Sequence, residues 1–136
     1  MNEIDTLVII PTYNRREVLV RALASALARA GDADEVIVVD DGSTDGTRSV
    51  MAGLRTPNVR YIRMRRNSGK SAALKLGLEQ VQGEHVVLMD ADGQDDPAEL
   101  PTMLEKLEDG YDLVTGRRAA SCAPLAAGAD VAVGAS

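Results

Sequence analysis

Asp90 and Asp92, separated by a single alanine, are the residues of this chain whose type and spacing most directly suggest chemistry. Carboxylates are hard oxygen donors, and a pair of them can hold a divalent cation while leaving coordination positions open to other oxygens. In extended chain, residues i and i+2 point the same way, so both acids can face one cation. They follow directly on the apolar run Val86 to Met89. A short apolar run bounded by turn residues reads as a strand buried on both faces. The acids then stand where that strand leaves its sheet, at the carboxyl edge where open α/β sheets bind ligands.

Two more polar loops follow apolar runs in the same way. Pro11 to Asn14 comes after Thr6–Ile10, and Asp40 to Asp45 comes after Glu35–Val39. One such loop reads as ordinary turn chemistry, because Asp and Asn form turns and cap helices. Several on one edge of a sheet, one of them Asp-x-Asp, point to a site.

The elements that position these loops alternate. Val18, Leu19, Ala22, Leu23, Ala26 and Leu27 recur at helical spacing, which predicts a helix over 15–30. Asn14 and Glu17 resemble a capping box at its start. Further helices are predicted from Thr47 to Leu54, from Lys70 to Gln82, and from the Asp96-Pro97-Ala98-Glu99 start signal to Asp109. Asn58–Met64 reads as a strand of ambiguous register, and Tyr111–Thr115 as a fifth strand. A β-α-β-α-β-α-β-α-β order predicts a mostly parallel sheet with helices on both faces. Composition changes after Arg118: the last eighteen residues hold eight alanines, two glycines and one charge. The expectation is one domain over 1–118 and a poorly ordered or weakly helical tail over 119–136.

Composition narrows the class. The chain has 136 residues, 45% of them hydrophobic, with no Phe or Trp and three Tyr, so its core is expected to be aliphatic. A net charge of −6 argues against a general nucleic-acid binder. The lone Cys122, in the tail, has no partner for an internal disulfide and fits a reducing compartment. No basic and then apolar leader opens the sequence, and its apolar runs fall short of the about 20 residues of a membrane span. The expected location is cytoplasmic.

Five segments in order carry a resemblance: V-I-I-P-T-Y-N, V-I-V-V-D-D-G-S-T-D-G-T, R-N-S-G-K-S-A-A-L-K-L-G-L, V-V-L-M-D-A-D-G-Q-D-D-P and D-L-V-T-G-R-R. Together they resemble the nucleotide-binding half of family 2 glycosyltransferases, nearest to the polyprenyl-phosphate (dolichol-phosphate mannose synthase-like) branch. The resemblance implies a Rossmann-like GT-A domain and an inverting transfer from a GDP- or UDP-sugar to a polyprenyl phosphate at the inner membrane face. By the same resemblance, Pro11 and Tyr13 would line the nucleotide pocket. Asp41, with Asp40 as companion, would contact the base or ribose. Asp90 and Asp92 would hold Mg²⁺ or Mn²⁺ with Gln94 as a further ligand. Ala91 would lie against the nucleotide, and Arg118 would reach the phosphates. Arg15 stands where that branch usually has Glu. The tail resembles none of the family's acceptor-binding segment, so the chain reads as truncated.

Other features have plainer readings. Gly69-Lys70-Ser71 copies the end of a P-loop, but Met64 occupies the position of the required first glycine. Arg60, Arg63, Arg65, Arg66 and Lys70 form a basic cluster, read as a charge-protected edge strand or as an attraction to phosphate or lipid headgroups. His85 has no partner that suggests catalysis. Two rival readings remain: a non-catalytic nucleotide-binding module, and a flavodoxin-like receiver with Asp40-Asp41 as its acidic pair.

Overall fold

The computed structural model describes residues 6–29, 34–82, 84–90, 100–115 and 132–135. In chain order these form β1 (Thr6–Thr12), α1 (Arg16–Arg29), β2 (Glu35–Asp40), α2 (Thr47–Ala52), β3 (Val59–Arg63), α3 (Lys70–Leu78), β4 (His85–Leu88), α4 (Leu100–Glu108), β5 (Leu113–Thr115) and β6 (Ala132–Ala135). The alternation expected from the sequence is present, with ends shifted by a few residues. The start signal proposed for α4 at Asp96–Glu99 lies outside the described residues.

One sheet carries all the strands in the order β3-β2-β1-β4-β6-β5. β1 pairs in parallel with β2 and with β4, and β2 in parallel with β3. The chain thus builds outward from β1 through β2 to β3, then returns to place β4 on the other side of β1. Such a reversal opens a crevice at the carboxyl ends of the two inner strands, here β1 and β4. This order also removes the receiver reading, since a flavodoxin-like sheet runs 2-1-3-4-5.

β6 amends the reading of the tail. Ala132–Ala135 lies between β4 and β5 and is antiparallel to both. Alanine and glycine have low strand propensity, and the residues carry no alternation to betray a strand. Pairing with two neighbours, not local preference, makes this element. The rest of 119–136 lies outside the described residues.

β1, β2 and the middle of β4 are buried on both faces, as their unbroken aliphatic runs require. On one face Val8, Ile10, Val36, Val38, Val87 and Met89 pack with Leu19, Leu23 and Ala26 of α1, Met51 of α2 and Met103 and Leu107 of α4. On the other, Leu7, Ile9, Ile37, Val39 and Val86 pack with Ala73 of α3. The core is aliphatic as expected, with methionine filling part of it. The doubtful register of β3 resolves at the sheet edge: Val59 and Tyr61 pack against the first cluster, Ile62 and Met64 against the second.

Helix α3 lies very close to the sheet because Gly77 faces it. A Cβ built on Gly77 would stand 2.6 Å from Ile9 Cγ2 and 3.4 Å from Val39 Cγ2. Ile9 and Val39 are fully buried, so neither has room to retreat. Gly77→Ala is therefore expected to destabilise the chain by about 1–3 kcal/mol through overpacking. Against the roughly 1 kcal/mol that alanine gains over glycine in a helix interior, the net loss comes to at most about 2 kcal/mol. A lowered urea midpoint at unchanged slope would show it.

Candidate functional site

The crevice between β1 and β4 is a cavity of about 500 Å³ lined by Pro11, Thr12, Tyr13, Arg15, Asp41, Asn67, Gly69, Lys70 and Asp90. These residues come from the ends of β1, β2, β3 and β4, each delivered by a loop at the carboxyl edge of the sheet. Four of the residues singled out in the sequence meet here: Pro11, Tyr13, Asp41 and Asp90. Ala91, Asp92, Gln94 and Arg118 lie outside the described residues.

The loops are held by hydrogen bonds between segments distant in sequence. Asn14 adopts a left-handed backbone (φ 50°), a conformation that asparagine tolerates better than most residues. Its amide donates to Ser43 Oγ at 2.8 Å, and its side-chain oxygen accepts from the Thr44 amide at 2.7 Å. The expected Asn14–Glu17 capping box is thus corrected: Asn14 fastens the β2–α2 loop. Asp45 serves α1 in its place, accepting from the Arg16 amide at 3.0 Å. The same carboxylate accepts from the Thr47 hydroxyl at 2.5 Å and the Thr47 amide at 3.2 Å, so it also holds the first residue of α2, whose N-cap position is Gly46. The Thr47 hydroxyl is the main cause that holds the Asp45 carboxyl below its ordinary value of 3.8. Partial burial opposes this, and the Arg16 and Thr47 amides add to it.

The consecutive acids Asp40 and Asp41 have separate duties. Asp40 is fully buried and is not among the residues that line the cavity. Its carboxylate accepts from the Ser43 amide at 2.8 Å and from the Tyr61 hydroxyl. Burial, and then the Asp40 carboxylate it serves, push the Tyr61 phenol well above the usual range. Within the fold Asp40 thus anchors its own turn and the edge strand. Asp41 reaches the cavity, yet its carboxylate already accepts from the Ser68 amide at 2.7 Å and the Gly69 amide at 2.9 Å. It thereby ties the end of β2 to the start of α3.

At the far side of the cavity, Lys70 Nζ lies 2.6 Å from Asp90 Oδ1. Among the described residues, Thr12 Oγ1 is a buried side-chain oxygen with no hydrogen-bond partner, and Thr12 lines the same cavity. Asn67 and Gly69 were not named as site residues from the sequence, and Lys70 entered only through the basic cluster read as an attraction to phosphate or lipid headgroups. Asn67 and Gly69 stand in a polar loop after a strand, as the other three site segments do, and Lys70 opens the helix that follows; that pattern was the available signal. Of the five residues of the basic cluster, the two on β3 are bonded within the fold. Arg60 bonds Glu35 and Gln80, and Arg63 donates to the Ser43 carbonyl. This fits a charge-protected edge strand.

Comparison with known proteins decides the family. The sequence profile of glycosyl transferase family 2 matches residues 7–126. The chain belongs to that family. It is 34% identical over 113 residues to an undecaprenyl-phosphate 4-deoxy-4-formamido-L-arabinose transferase of Salmonella paratyphi B, covering 79% of this chain and 35% of that protein. Among solved structures, it is similar to the mannosyltransferase PcManGT from Pyrobaculum calidifontis in complex with GDP-Man and Mn²⁺. That match has a TM-score of 0.72 and 28% identity and covers 86% of this chain and 36% of the other. It is also similar to S. aureus TarS 1-349, with a TM-score of 0.67, 27% identity and coverage of 80% and 34%. The chain thus spans about a third of the length of these relatives. The GT-A fold expected from the sequence is the fold observed.

Two tests follow from the loop network. Tyr61→Phe leaves a buried oxygen of Asp40 without a donor and is expected to cost about 1–3 kcal/mol of stability. In an alkaline absorbance titration, the difference between wild type and this variant should show no tyrosinate from Tyr61 within the normal phenol range. Asp45 has a depressed carboxyl value in the fold, so its stabilising contribution is present above 3.8 and disappears as pH falls through the lowered value. Asp45→Asn should therefore flatten the acid limb of the stability curve while leaving a side-chain oxygen able to accept from Arg16 and Thr47.

Proposed function

We propose that this domain binds the diphosphate of a nucleotide sugar in the β1–β4 cavity and serves in sugar transfer to a polyprenyl phosphate. The carrying observation is the convergence of Pro11, Tyr13, Asp41, Lys70 and Asp90 on one cavity at the sheet's switch point, in a family 2 chain. A relative named for an undecaprenyl-phosphate acceptor and a neighbour bound to GDP-Man and Mn²⁺ support the substrate classes.

The residues suit the steps. Pro11 and the half-exposed Tyr13 ring offer an apolar wall for a base, and Asp41 stands near enough to take a ribose or base contact beside its amide bonds. Asp90 supplies a hard carboxylate oxygen already facing a cationic group, so its position favours positive charge. With Asp92 and Gln94, it is the proposed holder of Mg²⁺ or Mn²⁺. A bound divalent ion would offset the charge that develops on the departing diphosphate. Lys70 and Arg118 would add fixed positive charge on the same group. The bond from the sugar carbon to the diphosphate oxygen breaks as a phosphate oxygen of the acceptor bonds the opposite face, which inverts configuration. A phosphate acceptor arrives as an anion and needs no general base, whereas a hydroxyl acceptor would need one.

The acceptor would be met at the cytoplasmic face of a membrane. Among the described residues no helix is long and apolar enough to cross one.

Thermal unfolding with GDP, UDP, dTDP or CDP, each with Mn²⁺ or with chelator, tests the donor site. One nucleotide at about 100 times its dissociation constant should stabilise the fold by about 2.7 kcal/mol. Asp90→Asn should remove the metal-dependent part of that shift. Absence of any shift in a folded sample would overturn the donor reading. Metal-dependent binding without sugar transfer to polyprenyl phosphate would leave a binding module and overturn the transferase reading.

A further inference from the structure

We propose that Lys70 is an internal counter-cation that makes uptake of a divalent ion at Asp90 depend on the presence of a diphosphate. The inference rests on reading the cavity as the donor site. Lys70 Nζ and Asp90 Oδ1 are 2.6 Å apart, the distance of a direct charge-assisted hydrogen bond. The ammonium therefore stands beside the carboxylate oxygen that a metal ion would need.

Three properties make this contact an exchangeable latch. First, the pair is open to water, with side chains 61% and 30% exposed, so holding it contributes little and breaking it is easy. Second, the foot of Lys70 does not move with its head. Asp41 grips the amides of Ser68 and Gly69, the two residues before it, while the flexible lysine stem leaves the ammonium free to swing. Third, Lys70 is the first residue of α3, where the helix dipole disfavours positive charge and favours an anion. Asp90 supplies that negative charge now.

A divalent ion arriving alone must displace Lys70 from Asp90 and leave it unpaired against like charge at a helix start. A diphosphate in the same cavity removes the conflict, since its oxygens can face the metal and the ammonium together. Metal and diphosphate then each raise the affinity for the other by the same factor. Lys70 is the residue that sets this factor.

The test is direct binding. Mn²⁺ uptake is followed by electron paramagnetic resonance without nucleotide, and GDP and UDP binding by calorimetry without metal, for wild type, Lys70→Met and Lys70→Arg. Lys70→Met should bind Mn²⁺ alone about three- to tenfold more tightly, the scale of removing one charge beside a divalent ion in a water-like dielectric with salt. Its metal-free nucleotide affinity should fall severalfold. Lys70→Arg keeps the charge and should stay within about twofold of wild type in Mn²⁺ uptake. Equal or weaker Mn²⁺ binding by Lys70→Met, in a chain that still binds GDP or UDP, would overturn the role of Lys70 alone. Failure of wild type to bind either nucleotide would overturn the donor site itself, and this inference with it.

Discussion

Two adjacent buried carboxylates hold this site together. Asp40 ends β2 and Asp41 follows it, and each fastens a different part of the molecule. Asp40 binds its own turn through Ser43 and the edge strand through Tyr61. Asp41 binds the segment that opens α3. A buried carboxylate is tolerable only when its oxygens are hydrogen-bonded, so the folding of both loops is conditional on these donors arriving together. The carboxyl edge of the sheet becomes ordered as one unit.

That unit places charges of both signs in a small space. The chain as a whole is acidic at −6, yet Arg15 and Lys70 line the cavity beside Asp41 and Asp90. A polyanion approaching the protein meets general repulsion and local attraction, which favours a ligand small enough to enter the crevice over an extended polyanion. The acids keep the cations from binding anions indiscriminately, and the cations keep the acids from gathering metal indiscriminately. A ligand that brings phosphate and metal together satisfies both sets.

Much of this was legible from residue types, and the failures share a cause. The aliphatic runs at Leu7–Ile10, Val36–Val39 and Val86–Met89 announce buried parallel strands because nothing polar interrupts them. The loops that bring Pro11, Tyr13, Asp41 and Asp90 to the cavity were legible because they follow such runs. Asn14 was misread as a helix cap because its partner, Thr44, lies 30 residues away. The use of Asp41 by backbone amides 27 and 28 residues on was hidden for the same reason. Local spacing reports which residues can bond, whereas the fold decides with whom. β6 shows the extreme case, a strand of small residues defined entirely by its two neighbours.

The glycine beside the acid pair explains why the long-range bonds can form at all. Gly42 has φ +82°, and a Cβ there would stand 2.6 Å from the carbonyl carbon of Arg66 and 2.7 Å from the amide nitrogen of Asn67. Those atoms are backbone and belong to the very segment that Asp41 grips. Any side chain at this position would meet both the strain of the left-handed region and that main chain. The segment could then descend onto Asp41 only by shifting, and Lys70, two residues beyond the bonded Ser68, would shift with it. The sequence Asp40-Asp41-Gly42 is therefore a single device: one acid to anchor the turn, one to draw in the neighbouring loop, and a missing side chain to let it approach. The contact between Lys70 and Asp90, on the other side of the crevice, is set by that absence of one carbon.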